Sequence, residues 1–250
     1  MFQTHLNMRF LLIDNSNTRT KFTIGTRDGL ECWLGQVATK EVSPTVLDNM
    51  LIDQQFDAVM LCSVVPEKAA IIAQYFSEVP FHHLDYKTEM GIHIDYPKPE
   101  QIGADRLANA AGVHALYGSP AIVIDLGTAV TFDAIGANAT YLGGVIAPGL
   151  ASMTDNLSKR TALLPKIELA EPANAIGKST SEAMLVGAVF GYRGLIKEII
   201  QKISSEMAEK PIIVATGGDA DLIAEGLPEI DHVSPTLTLE GVRRAALLQF

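Results

Sequence analysis

The chain predicts an α/β fold in two halves, each a mixed sheet with helices packed on it. Three observations carry that expectation. A strand–acid–turn–strand phrase occurs twice: Leu12-Ile13-Asp14-Asn15-Ser16-Asn17-Thr18 runs into Thr20 to Ile24, and Ile122-Val123-Ile124-Asp125-Leu126-Gly127-Thr128 runs into Val130 to Asp133. Short β-branched runs alternate with helical patterns along 250 residues, a length that suits one large or two modest domains. Apolar residues make up 48% and charged residues 19%, the composition of a packed globular chain and not a disordered one.

Taken in order, Arg9 to Asp14 reads as a buried strand, Thr20 to Gly25 as a second, and Leu30 to Val37 as a third after an Arg27-Asp28-Gly29 turn. Pro44 marks a first helical turn, with Val46, Leu47, Met50 and Leu51 as the apolar stripe. Asp57 to Val64 is a buried strand, Pro66 to Phe76 a helix, and Phe81 to Leu84 a short strand. This β-β-β-α-β-α-β order is that of a ribonuclease H-like half. Gly91 to Tyr96 alternates until the rigid Pro97-Lys98-Pro99, and an alanine-rich helix follows to Tyr117.

The second half opens at Ser119, with strands on both sides of Asp125 and a third over Ala139 to Ile146. Gly143-Gly144 and Ala147 to Leu150 break the chain before a helix over Ala151 to Arg160. Leu163 to Glu171 reads as an exposed connection, and Ser181 to Met207 as a long helix capped by Ser179 or Thr180. Gly187, Ala188, Gly191 and Gly194 permit close backbone packing on that helix, within the chain or across a dimer face. Pro211 to Ala215 is a buried strand running into Thr216-Gly217-Gly218, and Thr236 to Phe250 a closing helix. The halves are therefore expected at 1–118 and 119–236, with 237–250 packing back on the first.

A formal net charge of −10 disfavours nucleic acid and anionic membrane surfaces as partners. Cys32 and Cys62 stand far apart in apolar runs, which predicts two buried, reduced thiols and a cytoplasmic setting. Residues 1–7 lack the basic start and apolar core of a signal peptide and read as a loose extension or an upstream start. No apolar run reaches the ~18 residues a membrane span needs.

Aligning Asp14 with Asp125 sets Ser16 on Gly127 and Asn17 on Thr128. A carboxylate, a backbone free to approach and a hydroxyl at a hairpin tip can hold a polyphosphate with its cation. Either copy alone is also what an ordinary Asp/Asn turn looks like. Two copies, with a strand–diglycine–helix turn at Thr216-Gly217-Gly218, favour a nucleotide cleft between the halves. Asp105 in the first turn of its helix gains from the dipole; the adjacent Arg106 does not, which favours a functional pair over charge decoration.

Four stretches together resemble the type III pantothenate kinases, of the superfamily that includes actin, sugar kinases and heat-shock ATPases. They are Asp14-Asn15-Ser16-Asn17-Thr18, Gly103-Ala104-Asp105-Arg106, Asp125-Leu126-Gly127-Thr128-Ala129 and Thr216-Gly217-Gly218, in order and covering the chain from Met8. The resemblance implies two actin-like ATPase domains, phosphorylation of pantothenate by ATP to 4'-phosphopantothenate on the way to coenzyme A, and a homodimer. It implies magnesium with a monovalent cation, potassium or ammonium. It gives Asp14, Asn15, Ser16, Asn17, Thr18, Arg19, Thr20 and Lys21 to the phosphate motif, with Asp14 reaching magnesium through water. Asp105 takes the place of the general base, and Tyr96, Gly103, Ala104, Asp105, Arg106 and Thr180 that of the pantothenate contacts. Asp125 stands for the monovalent-cation ligand and Thr128 for an ATP contact. Ser16 departs from the family's usual glycine, so its side chain either obstructs the phosphate or donates to it. Two further readings use the same fold: a non-catalytic regulator like the Bvg accessory factor, and a kinase of another small alcohol.

Overall fold

The computed structural model describes residues 8–250; the reading made of residues 1–7 lies outside the described residues. The chain divides into two compact units. Of the described residues, one comprises 8–118, 138–141 and 236–250, the other 119–137 and 142–235.

In the first unit, β1 (Phe10–Asn15) runs antiparallel to β2 (Arg19–Gly25), and β2 antiparallel to β3 (Leu30–Ala38). On its other side β1 runs parallel to β4 (Ala58–Ser63), and β4 parallel to β5 (Phe81–His83). The sheet order is β3-β2-β1-β4-β5. Helices α1 (Pro44–Leu51) and α2 (Pro66–Tyr75) each begin on a proline, whose missing N–H costs nothing in a first turn. Leu47 and Leu51 of α1 and Ala69 and Ile72 of α2 cover Leu11, Ile13, Phe22, Ile24, Val59 and Leu61 of the sheet. Residues alternate across a strand, so Leu12 and Asp14 face the other way. There α7 (Leu237–Gln249) crosses α3 (Ala104–Tyr117) closely enough that a Cβ on Gly241 would fall 1.7 Å from the Ala108 carbonyl oxygen. At the same crossing the Thr238 hydroxyl donates to the buried Asn109 side chain at 2.8 Å.

The second sheet is built on the same plan. Its core strands are β7 (Ala121–Leu126), β8 (Ala129–Gly136), β9 (Thr140–Pro148), β10 (Ile212–Thr216) and β11 (His232–Val233). The order is β11-β10-β7-β8-β9-β6, in which β6 (His93–Ile94) pairs only with Thr140 and Tyr141 at the start of β9. As in the first unit, the central strand has an antiparallel hairpin partner on one side and a parallel strand on the other. Helices α4 (Leu150–Arg160), α5 (Thr180–Glu206) and the short α6 (Ala220–Ala224) complete the unit. Val189, Tyr192, Ile196 and Ile200 of α5 pack on Ile122, Ile124, Leu126, Val130 and Phe132. The mixed α/β architecture anticipated above is the one observed.

Three expectations are corrected. Cys62 is buried, but Cys32 is exposed, because β3 is an edge strand whose outward face, with Cys32, Leu34 and Gln36, is uncovered. Gly143-Gly144 do not interrupt the chain; β9 runs through them to Pro148. The alternating segment from Gly91 to Tyr96 forms only two residues of strand, with Gly91 at φ +79° on one side and Pro97 on the other. No helix of the described residues is long and apolar enough to cross a membrane.

Candidate active site

Asp14 is the penultimate residue of β1, a strand buried throughout, and is itself 5% exposed. The turn after it is tied from several sides. The Ser16 N–H donates to the Arg19 carbonyl at 3.2 Å, and the Thr39 hydroxyl donates to the Ser16 carbonyl at 2.7 Å. Asn15 donates to the Thr20 hydroxyl at 2.7 Å and accepts from Ser63 at 2.7 Å, so the Asn15 and Thr20 side chains are engaged within the hairpin. Ser16 sends its hydroxyl to Asp14 Oδ1 at 2.8 Å. Asn17, Thr18 and Arg19 are left exposed at the tip. Lys21 lies opposite Asp14 on β2 and Cys62 opposite it on β4, which puts all three side chains on one face of the sheet.

Asp105 stands in the first turn of α3. Burial raises the pKa of its carboxyl, against the lowering effect of the Arg106 backbone N–H, which donates to Oδ1 at 2.8 Å, and of the Arg106 charge. A Cβ on Gly103 would lie 2.5 Å from Asp105 Oδ1, so a side chain there would displace the carboxylate. The Cys62 thiol is pushed far up by burial, then by the charges of Asp14 and Asp105, so both carboxylates act on one buried sulfur. The Arg106 guanidinium lies over the Tyr141 ring, 5.8 Å from its centroid, and Tyr96 meets the same ring edge-on at 6.2 Å. The first unit therefore gathers Asp14, Lys21 and Asp105 around the ends of β1 and β4, and Arg106 and Tyr96 around Tyr141.

The second unit carries Asp125 near the end of β7, with Thr131 opposite it on β8 and Thr216 on β10. Gly127 and Thr128 form the turn, and Thr128 is exposed. The Thr128 carbonyl accepts from the Gly149 N–H and the Ser152 hydroxyl, both at 3.2 Å. A Cβ on Gly149 would lie 2.2 Å from the Gly127 carbonyl oxygen, and one on Gly217, at φ +96°, 2.5 Å from the Leu126 carbonyl oxygen. Glycine therefore lets α4 and the turn after β10 close on the hairpin backbone. Asp219 follows, its N–H donating to Leu126 at 3.1 Å and its carboxyl raised by burial. Thr180 is exposed at the start of α5, where Ser179 accepts from the Glu182 N–H at 3.2 Å and Glu182 from the Lys178 N–H at 2.6 Å.

Among the described residues no group of three or more His, Cys, Asp or Glu side chains could hold a metal by itself. A nucleotide-borne magnesium takes one or two carboxylates and completes its shell with phosphate and water. Asp14 fits such a role. Thr131, paired with Asp125 across the ladder, has a buried Oγ1 with no hydrogen-bond partner among the described residues. Cys62 and Tyr141 went unnoticed as site residues; each follows a plain apolar pattern, and only cross-strand register brings it to the site.

The family model described as type III pantothenate kinase matches residues 10–202. The chain belongs to the type III pantothenate kinase family. A type III pantothenate kinase of Akkermansia muciniphila is 54% identical over 96% of this chain and 98% of its own length. One from Methylacidiphilum infernorum is 42% identical over 93% and 86%. Among solved structures, a conserved Baf-family protein of Campylobacter jejuni described as a transcriptional activator aligns with a TM-score of 0.59 at 20% identity, covering 94% of this chain and 96% of that one. An inorganic polyphosphate/ATP-glucomannokinase of Arthrobacter aligns at 0.55 and 13% identity, covering 98% and 100%. At those identities the likeness is one of fold alone.

Proposed function

We propose that the chain phosphorylates pantothenate on its primary hydroxyl with ATP, the first step towards coenzyme A, and that Asp105 is the general base. The observation that carries this is a desolvated carboxyl with raised proton affinity, fixed between Gly103 and Arg106 and sharing the surroundings of Cys62 with Asp14. Phosphoryl transfer asks for alignment and charge neutralisation. Asp105 accepts the hydroxyl proton as the oxygen attacks the γ-phosphorus. Arg106 holds the substrate carboxylate with its planar fork, beside Tyr96. Magnesium bound with ATP would supply charge neutralisation on the phosphates; Asp14 is the residue that would hold it, through water, and Lys21 would add a further positive charge. Asp125 holds the monovalent cation with Thr131 at hand, Thr128 contacts ATP, and Thr180 contacts substrate.

A homodimer and a cytoplasmic setting belong to the same reading. An exposed stripe of Gly187, Gly191 and Gly194 on α5, beside Phe190 at 37% exposure, supports the first. Two free cysteines are in keeping with the second. The test is ADP release from ATP and magnesium on addition of pantothenate, with and without potassium. Pantothenate-dependent, potassium-stimulated turnover is expected; hexose-dependent turnover with none on pantothenate would replace the proposal by a sugar kinase.

A further inference from the structure

Tyr141 is fully buried, yet it is neither part of the phosphate hairpins nor of the Gly103–Arg106 segment. Three contacts converge on it. Its carbonyl accepts the Asp95 N–H at 3.0 Å, continuing the parallel ladder in which Ile94 pairs with Tyr141. Its ring receives the edge of Tyr96 at 6.2 Å and an interplanar angle of 69°. The same ring lies beneath the Arg106 guanidinium, 5.8 Å from the centroid. The backbone of Tyr141 thus pairs with the segment that carries Tyr96, while its ring contacts Tyr96 and Arg106 together.

We propose that Tyr141 is a positioning residue for the acid end of the substrate, acting through Arg106 and Tyr96. The proposal rests on the pantothenate kinase reading and adds a specificity determinant to it. Arginine is long and rotamer-rich, and a guanidinium presents its bidentate edge to a carboxylate only when its plane is fixed. An aromatic face within about 6 Å fixes that plane and leaves the donor edge open. Tyr96 is 37% exposed and would otherwise be free to turn; its T-shaped contact holds it beside the guanidinium. Recognition of the carboxylate would then depend on the electron-rich face of a residue that never touches the substrate.

The experiment compares Tyr141→Phe with the same position carrying pentafluorophenylalanine, which keeps ring shape but removes the negative face. Two substrates are used, pantothenate and pantothenyl alcohol, which lacks the carboxylate. Against the Phe form, the fluorinated form should raise KM for pantothenate by about tenfold, the scale of a partly desolvated cation–π contact. Its kcat should stay within about twofold, and its KM for the alcohol should not move. Equal losses on both substrates, or an unchanged KM for pantothenate, would overturn the Tyr141 assignment alone. A wild-type chain with no turnover of pantothenate would overturn it together with the function on which it rests. Should the fluorinated form fold poorly, a double-mutant cycle between Arg106→Lys and Tyr141→Leu replaces it: additive effects on KM refute the contact, and non-additive effects support it.

Discussion

At the scale of single residues, Ser16 stands in the hairpin turn where the family resemblance leads one to expect glycine. Its backbone is unstrained, since Ala139 is the one non-glycine residue with positive φ among those described. Its hydroxyl donates to Asp14 Oδ1 at 2.8 Å, which turns it towards that carboxylate. Ser16→Gly should therefore leave KM for ATP unchanged or lower, at a cost in stability of about 1–2 kcal/mol for the lost charge-assisted bond; a large rise in KM would identify the hydroxyl as an ATP ligand. Asp105 makes the second residue-scale prediction. Burial holds its pKa above the ordinary value of 3.8, so the base protonates, and activity falls, at a higher pH than for a solvated aspartate. The acid limb of kcat/KM should lie above 3.8 and vanish in Asp105→Asn, with kcat down by about 10²–10⁴. Because the folded-state pKa is raised, ionising Asp105 opposes folding as pH rises through that range. Thermal melts at neutral pH should then find Asp105→Asn at least as stable as the wild type. Asp14 and Asp105 were legible in the sequence because each sits at a strand end or helix start whose pattern is local. Tyr141 was not, since its partners Tyr96 and Arg106 are brought to it by a two-residue ladder with no periodicity of its own.

At the scale of elements, legibility followed length and covering. Pro44 and Pro66 marked helix starts correctly, and the apolar runs of β1, β4 and β7 gave their strands within a residue or so. β11 and β6 have two residues each, too short for alternation to speak. Cys32 failed for another reason: an apolar run on an edge strand is buried on one face only, and composition does not say which. That the closing helix packs back on the first half was expected; that α3 is the element it crosses was not, since an apolar stripe of Leu239, Val242, Ala246 and Leu247 names no single partner. That crossing depends on Gly241. A methyl there would meet the backbone of Ala108 at 1.7 Å, and backbone cannot yield as a side chain tip can. Gly241→Ala should cost about 3 kcal/mol, the upper part of the usual overpacking range, and lower Tm by roughly 6–12 °C for a chain of this size. Activity should fall as well, because α3 carries Asp105 in its first turn; a variant with wild-type Tm would show that the helices can part freely.

At the scale of the whole molecule, one topology is used twice. β3-β2-β1-β4-β5 in the first unit and β9-β8-β7-β10-β11 in the second follow the same order, and Asp14 and Asp125 hold the same place on their central strands. The duplicated hairpin phrase made this much visible in the sequence. What the phrase could not settle was the purpose of the glycines on α5, left open between packing inside the chain and packing against a second copy. A Cβ built on Gly187, Gly191 or Gly194 meets nothing within 4 Å among the described residues beyond its chain neighbours and its own helix's backbone. Glycine inside a helix is about 1 kcal/mol less favourable than alanine at each position, so an exposed glycine stripe is a cost with no return within one chain. Close approach of another helix is the compensation that fits, and a second copy presents the same stripe. Gly191→Gln separates the two readings, because glutamine is a good helix former that an exposed position tolerates and a helix–helix contact does not. Light scattering coupled to size exclusion should find the wild type at twice the 26.9 kDa of one chain and the variant at that single mass, with Thr180-dependent pantothenate binding lost alongside. A wild-type protein of single-chain mass, or a variant of unchanged mass and raised Tm, would mean that the stripe is simply solvated.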